Sequence, residues 1–334
     1  MQIKCLAAMK EKGPLEDFQY DPQPLGPYDV EVAISHCGIC HSDINMIDND
    51  WGMSAFPQVP GHEIVGTVTA TGMSVVNLEE GQRVGIGWQC GACLECEQCA
   101  TGNDNLCGES RATCVGNHGG FAERIRVDSR YVFPLPEKLA GENAAPLLCG
   151  GTTVFSSLRN FGVTPGMKVG VVGIGGLGHL ALQFSRAWGC EVTAFSSTGA
   201  KEKEAHKFGA HKFVSSEEKE SLDSMAGSLD FIISASPATL DWAAYLNILK
   251  PKGILCVVGG VLEPMAIPAF GLIMGQKSVC GSLIGSRAAI REMLDFAARH
   301  GIEAKTEVTS MKKANEAVDR VRKGAARYRM VLKN

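Results

Sequence analysis

The sequence predicts an α/β protein of two domains, a β-rich half followed by a parallel sheet doubly wound with helices. Three observations lead there. The chain has 334 residues, roughly two domains' worth. Its first 150 residues hold short β-type runs cut by Gly and Pro. After Gly151, strand-like and helical runs alternate, the pattern of strands joined by crossover helices.

In the first half the runs at 30–34, 64–70, 83–86 and 123–127 read as mainly antiparallel strands. Turn signals at Pro57, Pro60-Gly61 and Glu80-Gly81 separate them. The second half reads strand 169–172, helix 177–188, strand 191–195, helix 201–208, strand 231–234, helix 242–249, strand 254–258 and strand 279–284. Amphipathic helices at 289–299 and 312–323 and a strand at 329–332 follow. Periodicity leaves open whether these last elements cap the sheet or return to the first domain.

Composition narrows the function. Hydrophobic residues are 45% and charged residues 20%, enough apolar material for two cores. A net charge of −4 supplies no basic field for a phosphate backbone, so nucleic acid is not an expected partner. The best apolar stretch, 253–262, is too short to span a bilayer and is soon broken by Glu263, Pro264 and Pro268. No membrane role is expected. Residues 1–10 lack a signal-peptide core, so a cytoplasmic location is expected. Of 13 cysteines, ten lie in residues 1–149 and six between Cys90 and Cys114. Clustered thiols in a reducing compartment more often hold metal than disulfides.

The strand 169–172 runs into Gly173-Ile174-Gly175-Gly176-Leu177-Gly178, a dinucleotide-binding fingerprint. Gly173 permits the tight turn, Gly175 lets the backbone approach a pyrophosphate, and Gly178 lets the helix pack on the strand. Gly176 and Leu177 complete the candidate phosphate loop, and the helix N-terminus favours the anion. A tight turn alone would also use glycine. Here the strand before, the helix after and the second strand at the expected distance favour a Rossmann-type nucleotide domain. That second strand ends in Ser196-Ser197-Thr198, with Lys201 close behind, where an NAD enzyme commonly carries Asp or Glu. Hydroxyls and an ammonium suit a 2′-phosphate, so NADP(H) is the expected cofactor.

Cys93, Cys96, Cys99 and Cys107 are spaced C-x2-C-x2-C-x7-C. Four thiolates at such spacing can close a tetrahedron around Zn²⁺ and leave no position for water, a structural site. An iron–sulfur cluster competes, but ferredoxin runs place the fourth Cys after three residues and before Pro, whereas Gly108 follows here. Two further stretches resemble ligand loops: Cys37 to Asp43, and Pro60-Gly61-His62-Glu63. Cys149 lies near the domain junction. No spacing rule joins Cys40, His62 and Cys149, although two Cys and one His with an open fourth position form a catalytic zinc set.

Together these motifs resemble the zinc-dependent medium-chain dehydrogenases, in particular the cinnamyl alcohol dehydrogenase branch. The matching stretches are 37–43, 51–63, 87–107, 119–127, 146–154, 173–179, 196–201 and 327–332, in the family's order over nearly the whole chain. The resemblance implies a GroES-like catalytic domain of residues 1–150 and 288–334, and a Rossmann domain of residues 151–287. It implies Cys40, His62 and Cys149 as ligands of a catalytic zinc, with Glu63 and Asp43 behind them, so that each chain holds two zincs. Ser42 would take the alcohol proton. His41 and Arg329 would approach the cofactor pyrophosphate, and Thr153 the nicotinamide. Ser196, Ser197 and Lys201 match the branch's 2′-phosphate pocket. The strand at 279–284 would pair two nucleotide domains into a homodimer.

Two departures bear on mechanism and substrate. Asn45 stands where many relatives carry a proton-relaying His, so the proton is expected to leave through Ser42, the cofactor ribose and water. The segment 108–118 is short and has no aromatic residue, whereas plant members close a Trp over the substrate ring there. Trp51, Trp88 and Leu283 remain as candidate pocket walls. The expected activity is an NADP-dependent alcohol dehydrogenase or aldehyde reductase acting on primary alcohols and aldehydes, aromatic or aliphatic. A non-enzymatic NADPH-binding protein on the same fold is the alternative, which loss of a zinc ligand would have favoured. A polyol dehydrogenase fits poorly with Cys149 and the serine-rich cofactor loop.

Overall fold

The computed structural model describes residues 2–334. They form two compact units: one runs to Thr152 and resumes at Ile284, and the other is Thr153–Leu283.

The strand Asp29–Ile39 is the spine of the first unit. It pairs antiparallel with Glu63–Thr71, Arg124–Asp128 and Arg329–Lys333. The sheet continues through Arg83–Ile86 to Val132–Pro134 on one side and through Thr306–Ser310 on the other. Val30, Val32, Ile34, Ile64, Val68, Val84, Ile86 and Phe121 are buried together on it. Each such aliphatic side chain contributes about 1.5–3 kcal/mol when buried, and a one-residue slip would turn the set outward. The sequence reading ends this strand at Ile34, five residues short. Register shifts between Glu31 and Val32 and between Ile34 and His36 break the alternation on which that reading depends.

The late elements return to this unit. Met330 faces Ile39 and Leu332 faces Cys37 across an antiparallel pair. The helix Arg287–His300 starts at Ser286, whose hydroxyl accepts from Ala289 N, and stops at Gly301 with φ 65°. The helix Ala314–Arg322 buries Ala314, Ala317 and Val318. Between Gln89–Gly91 and Arg111–Ala112, themselves an antiparallel pair, the chain makes an excursion that carries the four clustered cysteines.

The second unit is a six-stranded parallel sheet in the order Lys212–Ser215, Glu191–Ser196, Lys168–Val172, Leu229–Ser234, Leu249–Val257, Ser278–Gly281. The order reverses beside Lys168–Val172, the switch point at which such sheets bind nucleotides. The fingerprint loop leaves that strand directly. Gly173 has φ 86°, a left-handed value that favours glycine, and a Cβ at Gly178 would collide with the carbonyl of Gly173. The helix Gly178–Ala187 follows, with Leu180, Ala181 and Phe184 buried.

Candidate active site

Three separate chain segments converge at one end of the spine strand. Cys40 follows the strand and caps the helix His41–Asp48. His62 precedes the strand Glu63–Thr71, whose first residue lies opposite Gly38. Cys149 follows the short turn Ala145–Leu148. The structure brings Cys40, His62, Glu63 and Cys149 together with their ligand atoms within 4.8 Å of one another. Cys40 Sγ and Cys149 Sγ are 4.0 Å apart, and His62 Nε2 is 3.2 Å from Cys149 Sγ.

Asp43 ties these segments. Its Oδ2 accepts from Cys40 N at 2.8 Å, and its Oδ1 accepts from Gly61 N at 2.9 Å. The same Oδ1 meets His62 Nδ1 at 2.8 Å. With Nδ1–H held by the carboxylate, Nε2 is left as the ring's coordinating atom. Asp43 and His62 are both fully buried. Burial alone would push the imidazole's pKa down, but the charge of Asp43 and the Cys149 sulfur raise it well above the ordinary histidine value. Between the sulfurs, the hydrogen-bonding contact with Cys149 holds the Cys40 thiol well below its usual range.

Glu63 is the second buried carboxylate. One oxygen pairs with the Arg329 guanidinium, which also donates to the carbonyl of Ile39 at 3.2 Å. The other, Oε2, has no hydrogen-bond partner. Burial pushes the Glu63 carboxyl up to about 7, and Arg329 opposes that rise. Gly38 makes room for this carboxylate, since a Cβ there would run into it. The sequence reading gives Arg329 to the cofactor pyrophosphate. In the structure its guanidinium is engaged with Glu63, a partnership 266 residues apart that no local pattern announces.

A soft-to-borderline donor set, two thiols and an imidazole nitrogen, lies beside a buried carboxylate oxygen that lacks a partner. That chemistry fits zinc with one position left open. The residue types exclude calcium or magnesium as the natural occupant, because those ions take oxygen.

The remaining expected residues fall as follows. Ser42 Oγ accepts from the Cys40 thiol at 3.7 Å, so its hydroxyl stands at the edge of the cluster. His41 is exposed at the helix start. The Trp88 ring meets His62 edge-on at 4.8 Å between centroids, and Trp51 packs against Trp88 at 6.1 Å. A cavity of about 420 Å³ opens beside them, lined by Met53, Trp88 and residues 110–112 and 115–117. In the second unit, Leu283 is 56% exposed and Thr153 is buried. There Ser196 is buried at its strand end and Ser197 is exposed, while Lys201 Nζ donates to the carbonyl of Ile174 in the glycine loop at 2.7 Å. Lysine and glycine loop therefore frame one rim.

The four-cysteine excursion is a cluster of a different kind. Cys107 Sγ lies 3.5 Å and Cys99 Sγ 3.9 Å from Cys93 Sγ. Four sulfurs at about 2.3 Å from a tetrahedral zinc stand about 3.8 Å apart, so the separations fit. Cys96 N donates to Cys93 Sγ and Glu109 N to Cys107 Sγ, each at 3.3 Å, as suits thiolates. Backbone N–H groups of Glu95 and Cys96 hold the Cys93 thiol down at about 7, whereas burial pushes Cys99 up to about 12.

Two family models match the chain: the alcohol dehydrogenase GroES-like domain over residues 26–137 and the zinc-binding dehydrogenase domain over residues 176–299. The chain is 48% identical to the aldehyde reductase AdhA of Synechocystis, over 99% of this chain and 98% of that protein. Among solved structures, it resembles a cinnamyl alcohol dehydrogenase of Sorghum bicolor with a TM-score of 0.96 at 38% identity, covering 100% of this chain and 98% of that one. It also resembles a Helicobacter pylori cinnamyl alcohol dehydrogenase complexed with NADP(H), with a TM-score of 0.92 at 32% identity and coverage of 100% and 98%.

Proposed function

The chain belongs to the zinc-binding alcohol dehydrogenase family, its cinnamyl alcohol dehydrogenase branch, and from that premise we propose an NADPH-dependent aldehyde reductase of broad range. The class is an oxidoreductase that interconverts alcohols and aldehydes. The observation that carries the finer reading is the convergence of Cys40, His62 and Cys149 with the buried carboxylate of Glu63.

Cys40, His62 and Cys149 would hold a catalytic zinc, and Cys93, Cys96, Cys99 and Cys107 a structural one. Bound at the first set, zinc supplies Lewis-acid polarisation of a substrate oxygen. NADP(H) supplies or accepts the hydride. Everything else falls to the chain. Asp43 fixes the His62 tautomer through Nδ1, so the ring presents Nε2. Arg329 balances one oxygen of Glu63, and the other is left without a hydrogen-bond partner. The Ser42 hydroxyl holds the proton that moves on or off the substrate oxygen. Asn45, which does not titrate near neutral pH, passes no proton, so the route runs from Ser42 to water. Trp88 and Trp51 give the approach an apolar wall that excludes water.

Ser196, Ser197 and Lys201 would take the 2′-phosphate, and Thr153, His41 and the loop Gly173–Gly178 the rest of the dinucleotide. Substrate range follows from the short segment 108–118, which carries no aromatic residue to close over a substrate ring, so aldehydes of several sizes are expected. A homodimer fits the nucleotide unit. Its edge strand Ser278–Gly281 has a free side, and the neighbouring helix Ala269–Gly275 exposes Phe270, Ile273 and Met274. A cytoplasmic location is supported by cysteines clustered at metal-type spacing, which points to a reducing compartment. No helix of the described residues is long and apolar enough to cross a membrane.

The test is cofactor oxidation by the zinc-replete protein across aldehydes from short aliphatic to cinnamyl, with NADPH and NADH in parallel. NADPH well ahead of NADH, with several aldehydes turned over, is expected. NADH ahead would overturn the serine–lysine pocket. No turnover with any aldehyde would favour a non-enzymatic binder.

A further inference from the structure

A buried cysteine is most often a small apolar filler, and Cys114 is fully buried. Its surroundings are not apolar. The Cys114 sulfur lies within 4.8 Å of both an Asp43 oxygen and a His62 nitrogen. It does not belong to the group formed by Cys40, His62, Glu63 and Cys149. The thiol therefore sits with Asp43 beside His62 rather than among the proposed zinc ligands.

The backbone around Cys114 is fixed from three directions. Gln58 Nε2 donates to the carbonyl of Cys114 at 2.6 Å, and Gln58 is itself buried. Thr113 N donates to the carbonyl of Trp88 at 2.7 Å, and Thr113 Oγ1 to that of Gly87 at 2.6 Å. Trp88 in turn meets the His62 ring.

We propose that Cys114 is a positioning residue for His62: its thiol, with the Asp43 carboxylate, makes a two-point hold on the outer side of the ring. Asp43 alone accepts from Gly61 N, Cys40 N and His62, so its two oxygens are shared among three donors. A sulfur this close to the imidazole would give the ring N–H a second, softer acceptor and limit the tilt of the ring. The position is also well chosen in the chain. Cys114 lies seven residues after Cys107, just past the strand Arg111–Ala112, so the loop leaving the four-cysteine excursion ends against the other cluster.

This inference rests on the reading of Cys40, His62 and Cys149 as zinc ligands, and the experiment separates the two. Zinc release from the holoenzyme to a chromogenic chelator is followed for wild type, Cys114→Val and Cys114→Ser, with visible spectra of the cobalt-substituted proteins. Val keeps the volume and removes the thiol; Ser restores a hydrogen-bonding group. Wild type is expected to release two zincs. In Cys114→Val one of them should leave roughly tenfold faster, within the about 10–100-fold range for losing a group behind a ligand, with shifted cobalt bands. Cys114→Ser should stay close to wild type. Equal release from all three proteins would show that the thiol only fills space. Equally fast release from Val and Ser would assign the effect to packing and overturn the proposal. A wild type that holds a single zinc would overturn the metal-site reading beneath it as well.

Discussion

The two cysteine clusters solve the same problem at opposite ranges. Cys93, Cys96, Cys99 and Cys107 come from one short excursion, and their sulfurs meet without help from the rest of the sheet. Cys40 and Cys149 are 109 residues apart and meet only because three segments end at the same edge of the spine strand. The local cluster is saturated: four sulfurs, no oxygen, no position for a reactant. The long-range cluster keeps a buried carboxylate oxygen without a partner and a serine hydroxyl at its rim. A self-contained site serves stability. A site stitched from distant segments can place different groups around an open position, which is what chemistry needs.

The sharpest test of this contrast is His62→Ala. Turnover should fall by at least about 10³-fold, equivalent to about 4 kcal/mol of barrier, while bound zinc drops from two to one per chain. Loss of both zincs would show that the clusters are not independent. Cys96→Ser strikes the other side. It should lower Tm by about 10 °C by calorimetry, because a structural metal contributes folding free energy. The kcat of the molecules that remain folded should change little; a large drop with an unchanged Tm would give the local cluster a catalytic role.

Gly38→Ala has a smaller reach. Its Cβ would run into the Glu63 carboxylate, so kcat should fall about 10–100-fold with the four-cysteine zinc untouched. Wild-type rates would show that Glu63 has room to move and matters little. Asn45→His should change least: if position 45 lies on the proton route, a new limb appears near pH 6.5 in the kcat profile. An unchanged profile would keep the route on Ser42 alone.

What the sequence showed and hid follows the same division. The four cysteines and the glycine loop are contiguous, and each constraint acts within a few residues, so spacing sufficed. Cys40, His62 and Cys149 had no spacing to read, and only the likeness to a known family joined them. The pairing of Arg329 with Glu63 was hidden because nothing local joins residues so far apart. Cys114 was passed over because a buried cysteine is usually an apolar filler, and only the fold sets Asp43 and His62 beside it. The pair Ile3–Ala8 and Leu15–Tyr20 escaped notice because Lys4, Glu16 and Asp17 dilute the apolar pattern. The spine strand was cut short where its register slips.

The strand Arg329–Lys333 places a guanidinium against Glu63, a residue the ribosome adds 266 positions earlier. Until that late strand docks, Glu63 has no cation to face it, and the sheet lacks a strand beside its spine. A nascent chain can thus gather its four clustered cysteines early, but its reactive centre has to wait. A protease that clipped the segment after Gly324 would leave the parallel sheet intact and remove the counter-charge from Glu63. Damage there would unbalance Glu63 without touching Cys40, His62 or Cys149.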